Sequence, residues 1–296
     1  MASQASSRRH VLCGLAMVTA AWPFARMNAK AAGEKDRAMS RIFITGSADG
    51  LGRDTAVALI EEGHPVVLHA RSKERAATAF KDLAPRAAGV VIGDLASAVQ
   101  TRSLAEQVNK IGRMDAVIHN AGIFREPGRG PTPEGHAKVL AVNVLAPYML
   151  TALIERPDRL VYLSSRMHFG GTGPLPDIDW TTRRWDTNRA YSESKLYITA
   201  LAFAVARKWP NVLSNAVDPG WVPTKMGGSG APDDLEEGHR TQTWLASSDD
   251  PAAKVSGAYW HHREQRQPAA QSRDERFQDE LVAKLAELTG VALFER

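Results

Sequence analysis

Tyr191 and Lys195 stand four residues apart in Tyr191-Ser192-Glu193-Ser194-Lys195, within a stretch whose pattern predicts a helix. That spacing puts both side chains on one face. A phenol held beside an ammonium suits proton transfer to and from a reacting oxygen. Free tyrosine titrates near ~10, too high to cycle easily near neutrality, and a close cation lowers that value by stabilising the phenolate. Upstream, Ser164-Ser165 ends a predicted strand. Hydride transfer to a carbonyl needs such a phenol acid, because the alkoxide that forms must take up a proton. A Tyr and a Lys at this spacing also occur in many helices that only pack. The pair gains weight from the company it keeps.

That company is a glycine loop. Thr45-Gly46-Ser47-Ala48-Asp49-Gly50-Leu51-Gly52 lies between the first predicted strand and the first predicted helix. Three glycines there allow a tight turn, close backbone approach to a pyrophosphate and tight helix–strand packing, with the free N–H groups of the helix start facing the phosphate charge. Cofactor choice is read at the end of the second strand, where a site for NAD wants an acid to accept from the ribose hydroxyls. The sequence there is His69-Ala70-Arg71-Ser72. No acid is present, and Arg71 suits a 2′-phosphate, which favours NADP(H) over NAD(H).

The elements that must position these groups follow an alternation of short β-branched runs and helical patterns, the signature of βαβ units and a parallel sheet. Strands are expected at Arg41–Thr45, Pro65–His69, Gly89–Ile92, Met114–Ile118, Leu160–Leu163, Val212–Ala216 and Ala258–His262. Helices are expected near 51–62, 72–83, 97–111, 133–154, 190–208 and 234–247, with a last one at Asp274–Leu288 that Gly290 is placed to cap. The fold class is therefore α/β: one doubly wound, mostly parallel, seven-stranded sheet in a three-layer α/β/α arrangement. Two insertions, Gly170–Asn188 and Met226–Asp233, interrupt it. The first carries Trp180 and Trp185 and is expected to border a substrate entrance, although packing is the plainer role for at least one of the two. His168 is expected either to touch substrate or to serve as a hydrogen-bonded structural histidine. Gly227-Gly228-Ser229-Gly230-Ala231-Pro232 is a candidate lid.

The chain has 296 residues and a formal net charge of +4. That excess sits at the start. Residues 1–39 hold six bases (Arg8, Arg9, Arg26, Lys30, Lys35, Arg37) against Glu34 and Asp36, which leaves residues 40–296 with 31 of each sign. A nucleic-acid surface is excluded by that balance. The order Ser7-Arg8-Arg9, an apolar stretch from Val11 to Phe24, then Ala29-Lys30-Ala31-Ala32 matches a signal peptide of the twin-arginine kind. Translation starting at Met39 is the other reading. Residues 1–39 are thus set apart as a leader, and 40–296 as a single nucleotide-binding domain, cytoplasmic in one reading and exported in the other. No apolar run is long enough for a membrane span. The sole cysteine, Cys13, rules out a cysteine metal site. His261-His262 are read as facing opposite sides of a strand, so no metal is expected there.

The glycine spacing, Asn120-Ala121-Gly122 after the fourth strand, Ser164-Ser165, Tyr191 with Lys195, and Pro219-Gly220-Trp221-Val222-Pro223-Thr224 after the sixth strand come in one order. Together they resemble the short-chain dehydrogenase/reductase superfamily, a Rossmann-fold family, over about residues 40–262. The glycine spacing resembles its single-domain branch rather than the extended one. Ser165 precedes Tyr191 by 26 residues, about twice the usual gap. That length, with Ser164-Ser165-Arg166-Met167-His168, resembles the retinol dehydrogenase and carbonyl reductase branch.

The resemblance implies an NADP(H)-dependent oxidoreductase acting on a small-molecule carbonyl or alcohol; a non-catalytic NADP-binding regulator of the same fold is the alternative. Tyr191 would be the acid in reduction and the base in oxidation. Lys195 would lower its pKa and hold the nicotinamide ribose. Ser165, the better fit of its pair, would bind the substrate oxygen, and Asn143 would anchor a relay water. Gly46, Ser47, Asp49, Gly50, Leu51 and Gly52 would cradle the phosphates, with Arg71 at the ribose. Asp94 and Leu95 would flank the adenine, and Asn120, Ala121 and Gly122 the adenosine ribose. Pro219, Gly220, Val222 and Thr224 would hold the carboxamide. Asp49 departs from the pattern, since some NADP-using relatives carry a base there. The family often pairs its long fourth and fifth helices between subunits, which makes a homodimer or homotetramer the corresponding expectation.

Overall fold

The computed structural model describes residues 39–294, so the leader reading and Cys13 lie outside the described residues. Parallel strands β1 (Ile42–Ile44), β2 (Val66–Ala70), β3 (Gly89–Ile92), β4 (Ala116–His119), β5 (Arg159–Leu163), β6 (Leu213–Asp218) and β7 (Tyr259–His261) form one sheet in the order β3-β2-β1-β4-β5-β6-β7. Successive strand residues point to opposite faces, and both faces are covered. Ile42 and Ile44 pack with one apolar cluster, and Phe43 between them packs with the other. This is the three-layer arrangement that near-continuous apolar strands demand.

The sheet has eight strands rather than seven. β8 (Glu264–Arg266) pairs antiparallel with β7 at its outer edge. The hairpin turns on His262 and Arg263, with φ of 49° and 61°. Sequence offers no warning of it. The turn residues are neither Gly nor Asn, and the polar Glu-Gln-Arg of β8 has no apolar alternation. Because the strand ends at His261, the rings of His261 and His262 do not face opposite sides but stack at 3.9 Å. No group of metal-binding side chains occurs among the described residues.

One face carries α1 (Gly50–Glu61), α2 (Lys73–Ala79) and α7 (Leu235–Ser247); the other carries α3 (Ala98–Ile111) and α6 (Thr187–Lys208). Between α3 and α6 in sequence, the expected helix at 133–154 begins only at Lys138. It runs as α4 (Lys138–Leu140), a π-helical turn (Ala141–Leu145) and α5 (Ala146–Leu153). Pro133, Glu134 and Gly135 instead form a turn, with Gly135 at a φ of 90°.

The C-terminal helices α8 (Ala270–Arg273) and α9 (Glu275–Thr289) lie over α6. Tyr197 meets Phe277, and the Arg207 guanidinium reaches Asp279. Tyr148 of α5 donates to the Val291 carbonyl at 2.7 Å. Every residue of α6 from 190 to 205 is buried within its own chain. Among the described residues no helix is long and apolar enough to cross a membrane.

Candidate active site

Tyr191 and Lys195 sit in the buried first half of α6, which Asp186 starts by accepting from the Arg189 N–H. Lys195 Nζ lies 5.5 Å from the centre of the Tyr191 ring and donates to the Leu163 carbonyl at 2.7 Å. Burial pushes the Lys195 ammonium down to about 8, with Asp218 opposing. Burial also pushes the Tyr191 phenol up to about 12, with the Ser165 hydroxyl acting the other way. Burial dominates at this phenol. Desolvation penalises the phenolate, and the ammonium is engaged at a strand carbonyl.

The serine pair separates cleanly. Ser164 is buried and bonded to Thr199 Oγ1 at 2.6 Å. Ser165 is half-exposed and is the member whose hydroxyl acts on Tyr191. Behind Ser165, His168 is fully buried. Its Nε2 accepts from the Ala269 N–H at 2.9 Å, so Nδ1 carries the proton and donates to the Ser165 carbonyl at 2.8 Å. His168 is therefore a structural tether and not a substrate contact.

Asn143 lies in the π-helical turn with its amide committed. Oδ1 accepts from the Ile123 N–H at 2.8 Å, while Nδ2 donates to the Ile123 carbonyl and to Ser194 Oγ, both at 3.0 Å. The helical donor to its own carbonyl would be residue 147, a proline, which has no N–H. The Asn143 amide is fully committed within the protein.

In the glycine loop, Gly46 and Gly50 adopt φ of 67° and 47°, the left-handed region that glycine enters freely. Gly52 packs so closely that a Cβ would lie 2.3 Å from Asn120 Nδ2 and 2.5 Å from the Gly46 carbonyl. Asn120 holds the loop itself, its amide donating to the Thr45 carbonyl at 2.9 Å. Buried His69, given no role in the sequence reading, accepts from the Gly46 N–H and bonds the Gly93 carbonyl, both at 2.8 Å. No motif signals that role. The first-turn N–H groups of Leu51 and Gly52 have no intrahelical partner.

Asp49 caps α1 and bonds both Arg75 Nη2, at 2.8 Å, and Lys225 Nζ. Position 49 thus carries an acid with two bases gathered around it. Arg75 lies four residues after Arg71, a spacing that could have flagged it. Arg71 is exposed at the end of β2. Asp94 accepts from the Ala96 N–H at 2.9 Å, beside buried Leu95. Ser47 holds the His69 N–H at 2.8 Å. The Ala121 N–H bonds Thr45 Oγ1 at 3.0 Å, and Gly122 lies beside Asn143 and Lys195 Nζ.

A cleft of about 570 Å³ opens above Tyr191 and Ser165, bounded by Pro219, Gly220, Val222 and Thr224. Trp180 and Trp185 do not line it. They pack edge to face at 5.5 Å, with Arg183 over Trp180. The candidate lid is folded on itself: Trp221 Nε1 donates to the Gly227 carbonyl at 2.9 Å, and the Trp221 N–H donates to Asp233 at 2.6 Å.

The family model for short chain dehydrogenases matches residues 40–157. A short-chain dehydrogenase, chyC, from Penicillium rubens is 41% identical over 259 residues, covering 86% of this chain and 99% of that protein. The chain belongs to the short-chain dehydrogenase family. Human retinol dehydrogenase 13 is 30% identical over 281 residues, covering 84% of each chain, in line with the branch suggested by the Ser165–Tyr191 gap. The crystal structure of an uncharacterized protein from Mycobacterium Paratuberculosis superposes with a TM-score of 0.74 at 25% identity, covering 88% of this chain and 98% of that one. A short-chain dehydrogenase is an oxidoreductase, and the Rossmann arrangement of the sheet is that of its relatives.

Proposed function

We propose that this short-chain dehydrogenase interconverts a carbonyl and an alcohol with NADP(H), using Tyr191 as acid in reduction and base in oxidation. The observation that carries the reading is the convergence of Tyr191 and Ser165 on one cleft, with Lys195 and Asn143 behind them. The residues present fit a dinucleotide. At Gly46 and Gly52 the turn leaves no room for a Cβ, and the N–H groups of Leu51 and Gly52 belong to a helix start, which favours anions. Arg71, with Arg75 beside it, suits a 2′-phosphate. Tyr191 and Lys195 would hold the nicotinamide ribose, and Pro219, Val222 and Thr224 its carboxamide. Bound there, the cofactor supplies or accepts the hydride.

Ser165 holds the substrate oxygen and Tyr191 delivers the proton to it. A phenol raised by burial is fully protonated at neutrality, the state an acid needs. The reverse role needs the phenolate, so alcohol oxidation should rise with pH well above neutrality while reduction stays level. Tyr191→Phe tests the assignment. It should lower the NADPH-dependent reduction rate by about a hundredfold or more, with NADPH affinity, followed by fluorescence, within a few-fold of the parent. Full turnover in that variant would remove Tyr191 from the chemistry. Absence of turnover by the parent chain on any carbonyl, with NADPH bound, would favour the non-catalytic reading.

A further inference from the structure

The cleft above Tyr191 carries two cations that proton and hydride transfer do not use. Away from the residues assigned to the cofactor, its wall is largely apolar, built by Phe124, Met167, Trp221 and Met226, and Arg125 and Arg166 line it as well.

Arg125 is held in place by its neighbours. Ile123 is clamped through both backbone groups by Asn143. The Glu126 carbonyl accepts from Trp185 Nε1 at 3.1 Å and from Thr187 Oγ1 at 2.9 Å. Between these anchors, Phe124 lays its ring 4.4 Å from that of Tyr191. Arg125 takes up the remaining turn at a φ of 39°, a left-handed conformation that an arginine seldom adopts. Strain of this kind persists where the surroundings over-determine it, and it collects at ligand clamps. The guanidinium carbon sits 5.9 Å from the Phe124 ring centre, and the side chain is exposed with no ion pair among the described residues.

Arg166 follows Ser165 directly and is also exposed; its nearest carboxylate oxygen, on Asp218, is 4.0 Å from Nε. The two acids of the cleft wall are occupied by backbone. Asp218 is buried and accepts from the Gly220 N–H at 3.1 Å, and Asp233 accepts from the Trp221 N–H at 2.6 Å. What the mouth presents to an incoming molecule is an apolar slot with two guanidinium groups at its rim.

We propose that the substrate is a bulky, apolar or aromatic carbonyl compound bearing a carboxylate at the end remote from the reacting carbonyl, and that Arg125 and Arg166 bind this carboxylate. The proposal rests on the carbonyl-reduction reading above and narrows it. Guanidinium groups present planar forks of N–H donors that match a carboxylate, and the apolar wall takes the body between the two ends.

The test uses the full chain with NADPH and two matched pairs: para-formylbenzoate and its biphenyl homologue, each as the free acid and as the methyl ester. Each acid should exceed its ester in kcat/KM by about tenfold, mostly through KM, as expected for a charge-assisted hydrogen bond. The excess should shrink at high salt, because the guanidinium groups are exposed. Arg125→Gln and Arg166→Gln should each bring the acid-to-ester ratio toward one. Trp221 lines the same cleft, so quenching of tryptophan fluorescence by biphenyl carboxylate, and not by its amide, gives a readout that needs no turnover. The salt series on the parent chain holds even where a variant fails to fold. Equal turnover of acids and esters, or a ratio that neither salt nor substitution moves, overturns the anion assignment and leaves carbonyl reduction standing. No turnover of any of the four, with no quenching by the carboxylate, overturns the anion assignment; carbonyl reduction falls only if no carbonyl is turned over with NADPH bound.

Discussion

His168→Leu breaks the tether between Ser165 and the C-terminal segment. In the parent chain the ring accepts from the Ala269 N–H at 2.9 Å and donates to the Ser165 carbonyl at 2.8 Å, packed between Tyr259 and Phe169. Leucine keeps most of the apolar volume and neither bond. The Ser165 carbonyl retains one donor, the His168 N–H at 3.0 Å. Losing the second costs about 1 kcal/mol, and leaving the Ala269 N–H without its partner costs about 1–3 kcal/mol more. A total of about 2–4 kcal/mol corresponds to a Tm lower by roughly 5–15 °C in a domain of this size. Ser165 also loses a constraint on its backbone, so kcat for the proposed carbonyl reduction should fall by about tenfold, with KM changing less. His168→Gln, which places an acceptor near the position of Nε2, should recover part of the Tm. Calorimetry and steady-state kinetics decide the matter. A leucine variant that melts within about 2 °C of the parent, or keeps full kcat, refutes the tether.

Arg71→Ala should lower the NADPH-over-NADH preference in kcat/KM by about tenfold. Asp49→Asn should raise NADPH affinity by releasing Arg75 and Lys225; an unchanged preference in both variants removes these bases from the cofactor argument. Gly52→Ala drives a methyl into the Gly46 carbonyl and Asn120, so it should destabilise the fold by about 1–3 kcal/mol or more and weaken NADPH binding in fluorescence titration. Wild-type dinucleotide affinity there would show the loop to be looser than its geometry. Stability should fall on the acid side, because His69, His119 and His168 are all pushed down by burial, His119 to about 3. Their neutral forms are favoured in the fold, so this contribution is complete above the ordinary value of 6.5 and is lost as pH drops below it. At pH 5 His119 alone would account for about 2 kcal/mol. A Tm equal at pH 5 and 7, or a loss that His119→Phe leaves untouched, would speak against it.

The fold was legible because local signals agreed with one another. Ser72, Ser97, Asp186, Asp234 and Asp274 each start a helix by accepting from its first turn, and Gly290 ends α9 at a φ of 62°. The misses came where a distant or chemically silent cause decided the outcome. Pro147 lacks a donor for the turn before it, and the helix widens around Asn143, yet nothing in Val142-Asn143-Val144 announces a π-helical turn. The hairpin at His262-Arg263 uses left-handed residues of the wrong types.

The candidate site divides along the same line. Order and spacing bring Tyr191, Lys195, Ser165 and the glycine loop to one end of the sheet, because a right-handed βαβ chain leaves its strand ends in a row. Spacing does not say what a side chain does on arrival. Asn120 turns into the loop, Asp49 gathers two bases, and both tryptophans of the insertion pack. The phenol makes the point most sharply. An i, i+4 relation establishes that Lys195 is a neighbour of Tyr191, whereas the direction of the Tyr191 shift depends on desolvation summed over every element around it. With residues 190–205 buried under α9 and the sheet, that sum pushes the phenol up, which suits the acid role proposed for Tyr191.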